Sequence, residues 1–288
     1  MRQPVTSREK QPDPMIAPVL KWAGGKRQLL PEILRRIPSR FTTYYEPFLG
    51  GGAVLFRLQP ARAIVNDCNA ELVNVYHTIR DNPEALLALL AGHRNEADYF
   101  YAIRELDRTP AYASMSTVER ASRILYLNKT CYNGLFRVNR LGQFNAPFGR
   151  YRNPTIAIPD NIRAVSRYLN RRDVRMLNTD FADAVKGARK GSFVYFDPPY
   201  MPVSDSANFT GYTQGGFTRA DQARLRQTCE RLTRNGVRFL LSNSATPHVL
   251  DLYRDFHIEQ VGATRAINTN PDKRGEVMEV LVRNYRDD

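Results

Sequence analysis

Short apolar runs that alternate with amphipathic helical stretches predict an α/β fold, a parallel sheet with crossover helices. Three observations carry that expectation. Runs such as "SFVYF" and "VRFLL" are almost continuously apolar, as strands covered on both faces are. Stretches with helical spacing lie between them, some with a capping residue in front and glycine behind. The alternation breaks once, between about residues 93 and 170, so an insertion interrupts the sheet pattern.

The elements follow in order. "MRQPVTSREKQPDPMIAP" is polar and proline-rich without the apolar core of a signal peptide, so residues 1–17 read as a loose extension. "TYYEPFLGGG" reads as a strand running into a glycine turn, and "LFRL" starts a helix. "ARAIVNDCN" is a short strand ending at Asp67. "AELVNVYHTIRD" has helical spacing. "NPEALLALLAG" carries an N-cap, a proline at the first helical position and a glycine stop. Inside the insertion, residues 97–106 and 118–129 are helical. The basic stretch "CYNGLFRVNRLGQFNAPFGRY" follows, where NG and LG mark turns and "FRVNRLGQF" reads as a hairpin. "VRMLNTDF" and "SFVYFDPPY" are two more strands. "FTRADQARLRQTCERLTRNG" is a helix with a capping threonine and a terminal glycine. "VRFLLSNS" is a buried strand, and "FHIEQVGAT" and "EVMEVLVRNY" close the sheet.

Composition narrows the function. The chain has 288 residues, 42% of them hydrophobic, enough for a sizeable core. No run reaches the ~20 apolar residues of a membrane span. Cys68, Cys131 and Cys229 are scattered, with no CxxC pair and no Cys/His cluster, so neither a disulfide framework nor a metal site is expected. A reduced, cytoplasmic setting follows. The net charge is +13, and from Arg120 to Arg175 twelve basic residues face two acids. Most of these are arginines interleaved with Tyr132, Phe136, Phe144, Phe148, Tyr151 and Tyr168, a mix that favours nucleic acid over an anionic membrane.

Two stretches carry chemistry. "YYEPFLGGGAVLF" puts three glycines at the carboxyl end of a strand, the edge where open α/β sheets bind ligands. Neither GxGxxG nor GxxxxGK[ST] is present, and "WAGGKR" lacks the Ser or Thr that would hold magnesium, so a triphosphate cradle is excluded. Asp67, at the end of the next strand, is placed either to accept ribose hydroxyls or to cap the following helix. "DPPY" delivers a carboxylate and an aromatic to the same edge, held rigid by two prolines. An aromatic can stack on a flat heterocycle. A fixed carboxylate and a backbone carbonyl can accept protons from an exocyclic amine and free its lone pair.

With the glycine loop, "DPPY" resembles the amino-methyltransferases of DNA that use S-adenosylmethionine. The resemblance covers nearly the whole chain from about Leu20 to Tyr285. "LKWAGGKRQLL" looks like the family's amino-terminal cofactor motif and "EPFLGGG" like its methionine-side loop. The order of cofactor loop, recognition insert and DPPY resembles the alpha arrangement of the adenine N6 methyltransferases of the D12 class. "YNGLFRVNRLGQFNAPFGRY" and "DPPYMPVSDSANFTGY" are similar to the Dam group, which methylates adenine in GATC.

The resemblance implies a Rossmann-like class I methyltransferase sheet. Residues 18–92 and 171–288 would form the catalytic domain, and 93–170 a helical and β-hairpin target-recognition domain. Lys21, Trp22, Ala23, Gly24 and Lys26 would line the cofactor site. Glu46, Pro47, Phe48 and Gly50 would surround its methionine portion, Asp67 its ribose, and Asp180 and Phe181 its adenine. Asp197, also at the cofactor's edge, would hold a flipped-out adenine with Pro198, Pro199 and Tyr200. Arg137 would read a guanine in the major groove. Leu135 and Pro147 would contact neighbouring bases, and Tyr132 and Asn133 would fill the space left by the flipped base. Asn139 would join the DNA contacts, as would Lys129, which stands where some relatives carry arginine and so would make a point contact to phosphate. Double-stranded DNA is the implied partner, with a cognate restriction endonuclease possible and no metal required. Two other readings stay open on the residues: a non-catalytic DNA-binding protein with this fold, and methylation of RNA or of protein glutamine. Glutamine methyltransferases usually read NPPY.

Overall fold

A computed structural model describes residues 13, 16–22, 26, 28–201, 216–264 and 276–286. Its centre is a seven-stranded sheet: β1 (Tyr44–Glu46), β2 (Arg62–Asn66), β3 (Asp173–Leu177), β4 (Phe193–Phe196), β5 (Arg238–Ser244), β6 (His257–Thr264) and β7 (Glu276–Arg283). The strand order is β3-β2-β1-β4-β5-β7-β6. The first five strands are parallel, and β7 runs antiparallel between β5 and β6. Winding starts at β1, proceeds outward to β3, then returns to β4 on the other side of β1. That reversal opens a crevice at the carboxyl ends of β1 and β4.

Both sheet faces are buried, which is why the strands read as apolar runs. Side chains alternate along each strand. Tyr44, Phe193, Tyr195 and Leu240 face one apolar cluster. It is shared with α1 (Leu30–Arg36), α2 (Ala53–Leu58), α3 (Ala70–Asp81), α4 (Pro83–Ala91) and α8 (Pro159–Arg171). Tyr45, Val194, Phe196, Phe239 and Leu241 face the other, against α9 (Phe181–Ala184), α10 (Arg219–Arg234) and α11 (Pro247–Leu252).

The insertion carries α5 (Ala97–Glu105), α6 (Ala111–Ser114) and α7 (Thr117–Thr130). Helix α7 packs on α3 and α4, and Phe100, Ile124, Leu125 and Leu127 join the cluster on the first sheet face. A Ser116–Glu119 capping box starts α7. After it, the chain makes a hairpin. Bridges join Cys131 to Phe148 and Val138 to Phe144, rather than a continuous ladder. The hairpin is tied to the helices through Asp107, which accepts from the Phe144 N–H at 2.8 Å and pairs with buried Arg123 at 2.8 Å. His93 is structural: it lies between the Tyr99 and Ser122 hydroxyls, stacks on Tyr126, and burial pushes its pKa down to about 4.

Two capping expectations change. Asn69, not Asp67, caps α3, accepting from the Leu72 N–H at 3.1 Å. Asn82 makes no side-chain cap to α4, whose start rests on Pro83. Among the described residues no helix is long and apolar enough to cross a membrane, and no three His, Cys, Asp or Glu are grouped to hold a metal.

One buried amide joins the segment before α1 to the insertion. Asn128, fully buried in α7, accepts from the Lys21 N–H at 2.8 Å and donates to the Lys21 carbonyl at 2.7 Å and the Gly134 carbonyl at 3.2 Å. Asn128→Ala would strand backbone groups that are shielded from water. The expected loss is about 1–3 kcal/mol in urea unfolding. A change under about 0.5 kcal/mol would show that the strap is held elsewhere.

Candidate active site

The loop after β1 is shaped by hydrogen bonds to β2 and β3. Asn66 donates to the Pro47 carbonyl at 3.0 Å and the Thr179 carbonyl at 3.1 Å, and its own carbonyl accepts from Leu49 at 2.9 Å. Gly50 has φ +49° and donates its N–H to Asp67 Oδ2 at 2.9 Å. A Cβ at Gly50 would stand 2.7 Å from Trp22 Cδ1, so glycine is required both for the turn and for the close approach. Trp22 in turn stacks on Phe136 of the hairpin at 5.0 Å. One indole therefore links the glycine loop, the N-terminal strap and the insertion.

Two carboxyls lie beneath this loop. Asp67, 9% exposed, accepts from the Gly50 and Asn69 amides, and burial raises its pKa against those bonds. Lone pairs remain on both oxygens, as a ligand's hydroxyls would need. Glu46, 2% exposed, accepts from the Tyr44 hydroxyl at 2.9 Å. Burial, aided by the nearby Asp197 charge, pushes its pKa from the usual 4.5 up to about 8.

Across the crevice, β4 delivers Asp197-Pro198-Pro199-Tyr200. Asp197 Oδ1 pairs with Lys26 Nζ at 2.7 Å and accepts from Ser242 Oγ at 3.1 Å. Burial raises the Asp197 pKa, opposed by Lys26 and Ser242. The Tyr200 hydroxyl donates to Glu279 Oε2 at 2.8 Å, and Lys26 Nζ lies 4.5 Å from the Tyr200 ring centroid. The loop backbone is held from β5 and α10. Gln222 donates to the Pro199 carbonyl at 3.2 Å, Asn243 accepts from the Met201 N–H at 3.2 Å, and Ser244 donates to the Met201 carbonyl at 2.7 Å. Gln222, Asn243 and Ser244 are fully buried.

Aromatic groups line the crevice beside β3. Phe48 stacks on Phe181 at 5.3 Å and meets Phe217 edge-on at 5.7 Å. Asp180 caps α9 and pairs with Arg224 at 2.8 Å, and that guanidinium lies over Phe181 at 5.0 Å. The arrangement is a packed aromatic cluster with a charged rim.

The other sequence-predicted residues fall on the face of the insertion. Tyr132 is half exposed, and Asn133 takes the left-handed conformation at φ 54°. Leu135 is partly buried and Pro147 exposed, its carbonyl accepting from the Tyr132 N–H at 2.8 Å. Arg137 is exposed and braced by Asn145, whose Oδ1 accepts from Nε at 2.8 Å. Asn139 closes the hairpin turn, accepting from the Leu141 and Gln143 amides at 2.9 and 3.0 Å. Lys21, expected to line the cofactor site, lies on this face. Its ammonium lies 5.0 Å from the Tyr151 ring centroid, in a cleft of about 420 Å³ with Lys129 and Arg152. Ala23 and Gly24 lie outside the described residues, as do most of residues 1–17, the stretch 202–215, and Arg265, Lys273 and Arg274.

Sequence reasoning missed Ser242, Gln222, Glu279 and Asn145. Each acts through another residue: Asn145 from eight positions away across the hairpin, and Ser242, Gln222 and Glu279 from distant parts of the chain, where a serine or glutamine in a strand or helix carries no local signal of that.

A profile of the D12 class N6 adenine-specific DNA methyltransferases matches residues 22–267. The chain belongs to that family. The type II methyltransferase M1.LlaDCHI of Lactococcus lactis subsp. cremoris is 46% identical over 272 residues, covering 94% of this chain and 96% of its own. The type II methyltransferase M.MjaIII of Methanocaldococcus jannaschii is 38% identical over 290 residues, with 94% and 99% covered. A DNA adenine methylase of Haemophilus influenzae is 34% identical over 271 residues, with 92% of each chain covered. The enzyme is thus an adenine-specific DNA methyltransferase, built on the mostly parallel sheet expected of it.

The buried Glu46 carboxyl gives this methyltransferase a pH-dependent stability. Its folded pKa lies above the unfolded value, so the folded chain holds a proton that the unfolded chain releases. Stability falls as pH rises from about 4.5 towards 8. Glu46→Gln should remove that slope. Its stability relative to the wild type should rise by about 2–4 kcal/mol between about pH 5 and about pH 8. Parallel stability curves for the two proteins would contradict the assignment.

Proposed function

We propose that the enzyme transfers a methyl group from S-adenosylmethionine to N6 of a flipped-out adenine, with GATC as its site. The observation that supports this best is the Asp197–Tyr200 segment, braced on three sides at the carboxyl end of β4 and opening on the glycine loop of β1. The residues present fit the cofactor. Glu46, Pro47, Phe48 and Gly50 would hold its methionine portion, Asp67 its ribose, and Phe181 with Asp180 its adenine. The Gly50 backbone amide fixes the Asp67 carboxylate beside the tight turn against Trp22. When bound, S-adenosylmethionine supplies a methyl group on a sulfonium, already activated for transfer.

The chain's own residues do the remainder. An adenine inside the duplex is out of reach, so it is extruded at a cost of a few kcal/mol. Tyr200 stacks on it. Asp197 and the Pro198 carbonyl accept its amino protons and turn the N6 lone pair towards the crevice. These acceptors are fixed before the base arrives, which is what makes them effective. Residues 93–170 act as the target-recognition domain in this proposal. Lys129 with Lys21 and Arg152 would take phosphates, which position without specifying. Arg137, steadied by Asn145, would present its fork to guanine O6 and N7. Leu135 and Pro147 would meet neighbouring bases, and Tyr132 and Asn133 the vacated stack. The type II names of two relatives support a restriction endonuclease acting on the same site.

Asp197→Ala should lower the methyl-transfer rate by about 100–1,000-fold or more while DNA affinity stays near wild type. Wild-type turnover in this variant would remove the acceptor role. Arg137→Ala should reduce discrimination at the first guanine by about 1–3 kcal/mol, measured as kcat/KM on matched and guanine-substituted duplexes. An unchanged ratio would move guanine recognition to another residue.

A further inference from the structure

Lys26 stands where the target base is proposed to sit. Its side chain is 6% exposed, its ammonium is 2.7 Å from Asp197 Oδ1, and the Tyr200 ring centroid is 4.5 Å away. The first contact is the one an exocyclic amine would make. The second is the ring face that a base would stack on. A cofactor contact, the role implied for Lys26 by family resemblance, explains neither.

We propose that Lys26 is a positioning residue for the base acceptor: its ammonium holds the Asp197 carboxylate ionised and in place between turnovers, and the incoming base displaces it from Tyr200. The inference rests on the acceptor role of Asp197. The groups facing Asp197 make the need plain. Glu46 faces it from β1, Tyr195 from β4, Tyr200 from its own loop and Ser242 from β5, while Glu279 from β7 lies behind Tyr200, on its hydroxyl. Two of these are carboxyls, and among the described residues none besides Lys26 is shown bringing a cation to Asp197. Burial disfavours an ionised Asp197, with Lys26 and Ser242 opposing. Without the ammonium, the Ser242 hydroxyl is the one group among the described residues that would oppose it. A protonated Asp197 would present an O–H where the reaction needs an acceptor. Lysine suits the task because a compact ammonium on a flexible stem can withdraw when an amine takes its place.

The test is the pH dependence of kcat for methyl transfer to duplex DNA, with the full chain. Lys26→Met retains the stem and removes the charge. Its acid limb should move up by about one unit or more, so its deficit against wild type should be at least about tenfold greater near pH 6 than near pH 9. The change should fall on kcat rather than on KM for DNA. Lys26→Gln should show the same displaced limb, which covers the case of one variant failing to fold, and Lys26→Arg should restore the limb. A deficit that is the same at every pH would overturn the proposal. Asp197→Ala in the same series separates the two readings. If it turns over normally, the acceptor role fails and the Lys26 inference with it. If it is inactive while the Lys26→Met and Lys26→Gln profiles keep the wild-type shape, only the Lys26 inference fails.

Discussion

Everything at the site depends on the reversal of winding between β1 and β4. Because β2 and β3 lie on one side of β1 and β4 and β5 on the other, no crossover covers the carboxyl ends of the two central strands. Glu46 and the glycine loop end one of them, and Asp197 to Tyr200 follow the other. Their register, Tyr44 opposite Phe193, brings the two loops to the same level of the sheet. The proposed ligand pocket and base acceptor would thus both follow from one topological feature, and the helices on both faces bury the sheet that carries it.

The crevice so formed is rich in buried and half-buried acids, each compensated differently. Asp67 is held by two backbone amides, Glu46 by a phenol, and Asp197 by an ammonium and a hydroxyl. Backbone donors are fixed and leave lone pairs for a ligand. An ammonium on a long stem can leave. In the proposed cycle, the pairing at Asp197 is the one exchanged for substrate. The antiparallel β7 adds a further control, since it brings Glu279 beside β5 to anchor the Tyr200 hydroxyl.

The fold was legible because strands buried on both faces read as apolar runs, and because capping residues such as Thr218 stand where helices begin. The placement of Asp197, Tyr200, Gly50 and Asp67 at the ends of β1, β2 and β4 was legible because prolines, glycines and strand-end acids punctuate the chain locally. The role of Asp67 was only half legible. The residue that caps α3 is Asn69, two positions on, and the choice between them depends on where the Gly50 amide points. The bracing residues were not legible. Ser242, Gln222 and Glu279 act across 23 to 79 residues of sequence, through contacts that exist only once the sheet has formed. Lys21 and Lys26 belong to one motif in the sequence, yet face different sites: Lys21 lies over Tyr151 on the insertion and Lys26 over Tyr200.

The most direct test of the account is methyl transfer from labelled S-adenosylmethionine to duplexes that differ at one position. One duplex carries a single GATC. In the others, either the adenine of both strands is replaced by 2-aminopurine, which has no amino group at C6, or the first guanine of both strands by adenine with its partner cytosine by thymine. Label confined to the GATC duplex is the predicted result. Equal label in the guanine-substituted duplex would contradict the proposed site. Label in the 2-aminopurine duplex, or none in any with cofactor still bound, would contradict the proposed transfer to N6 of adenine.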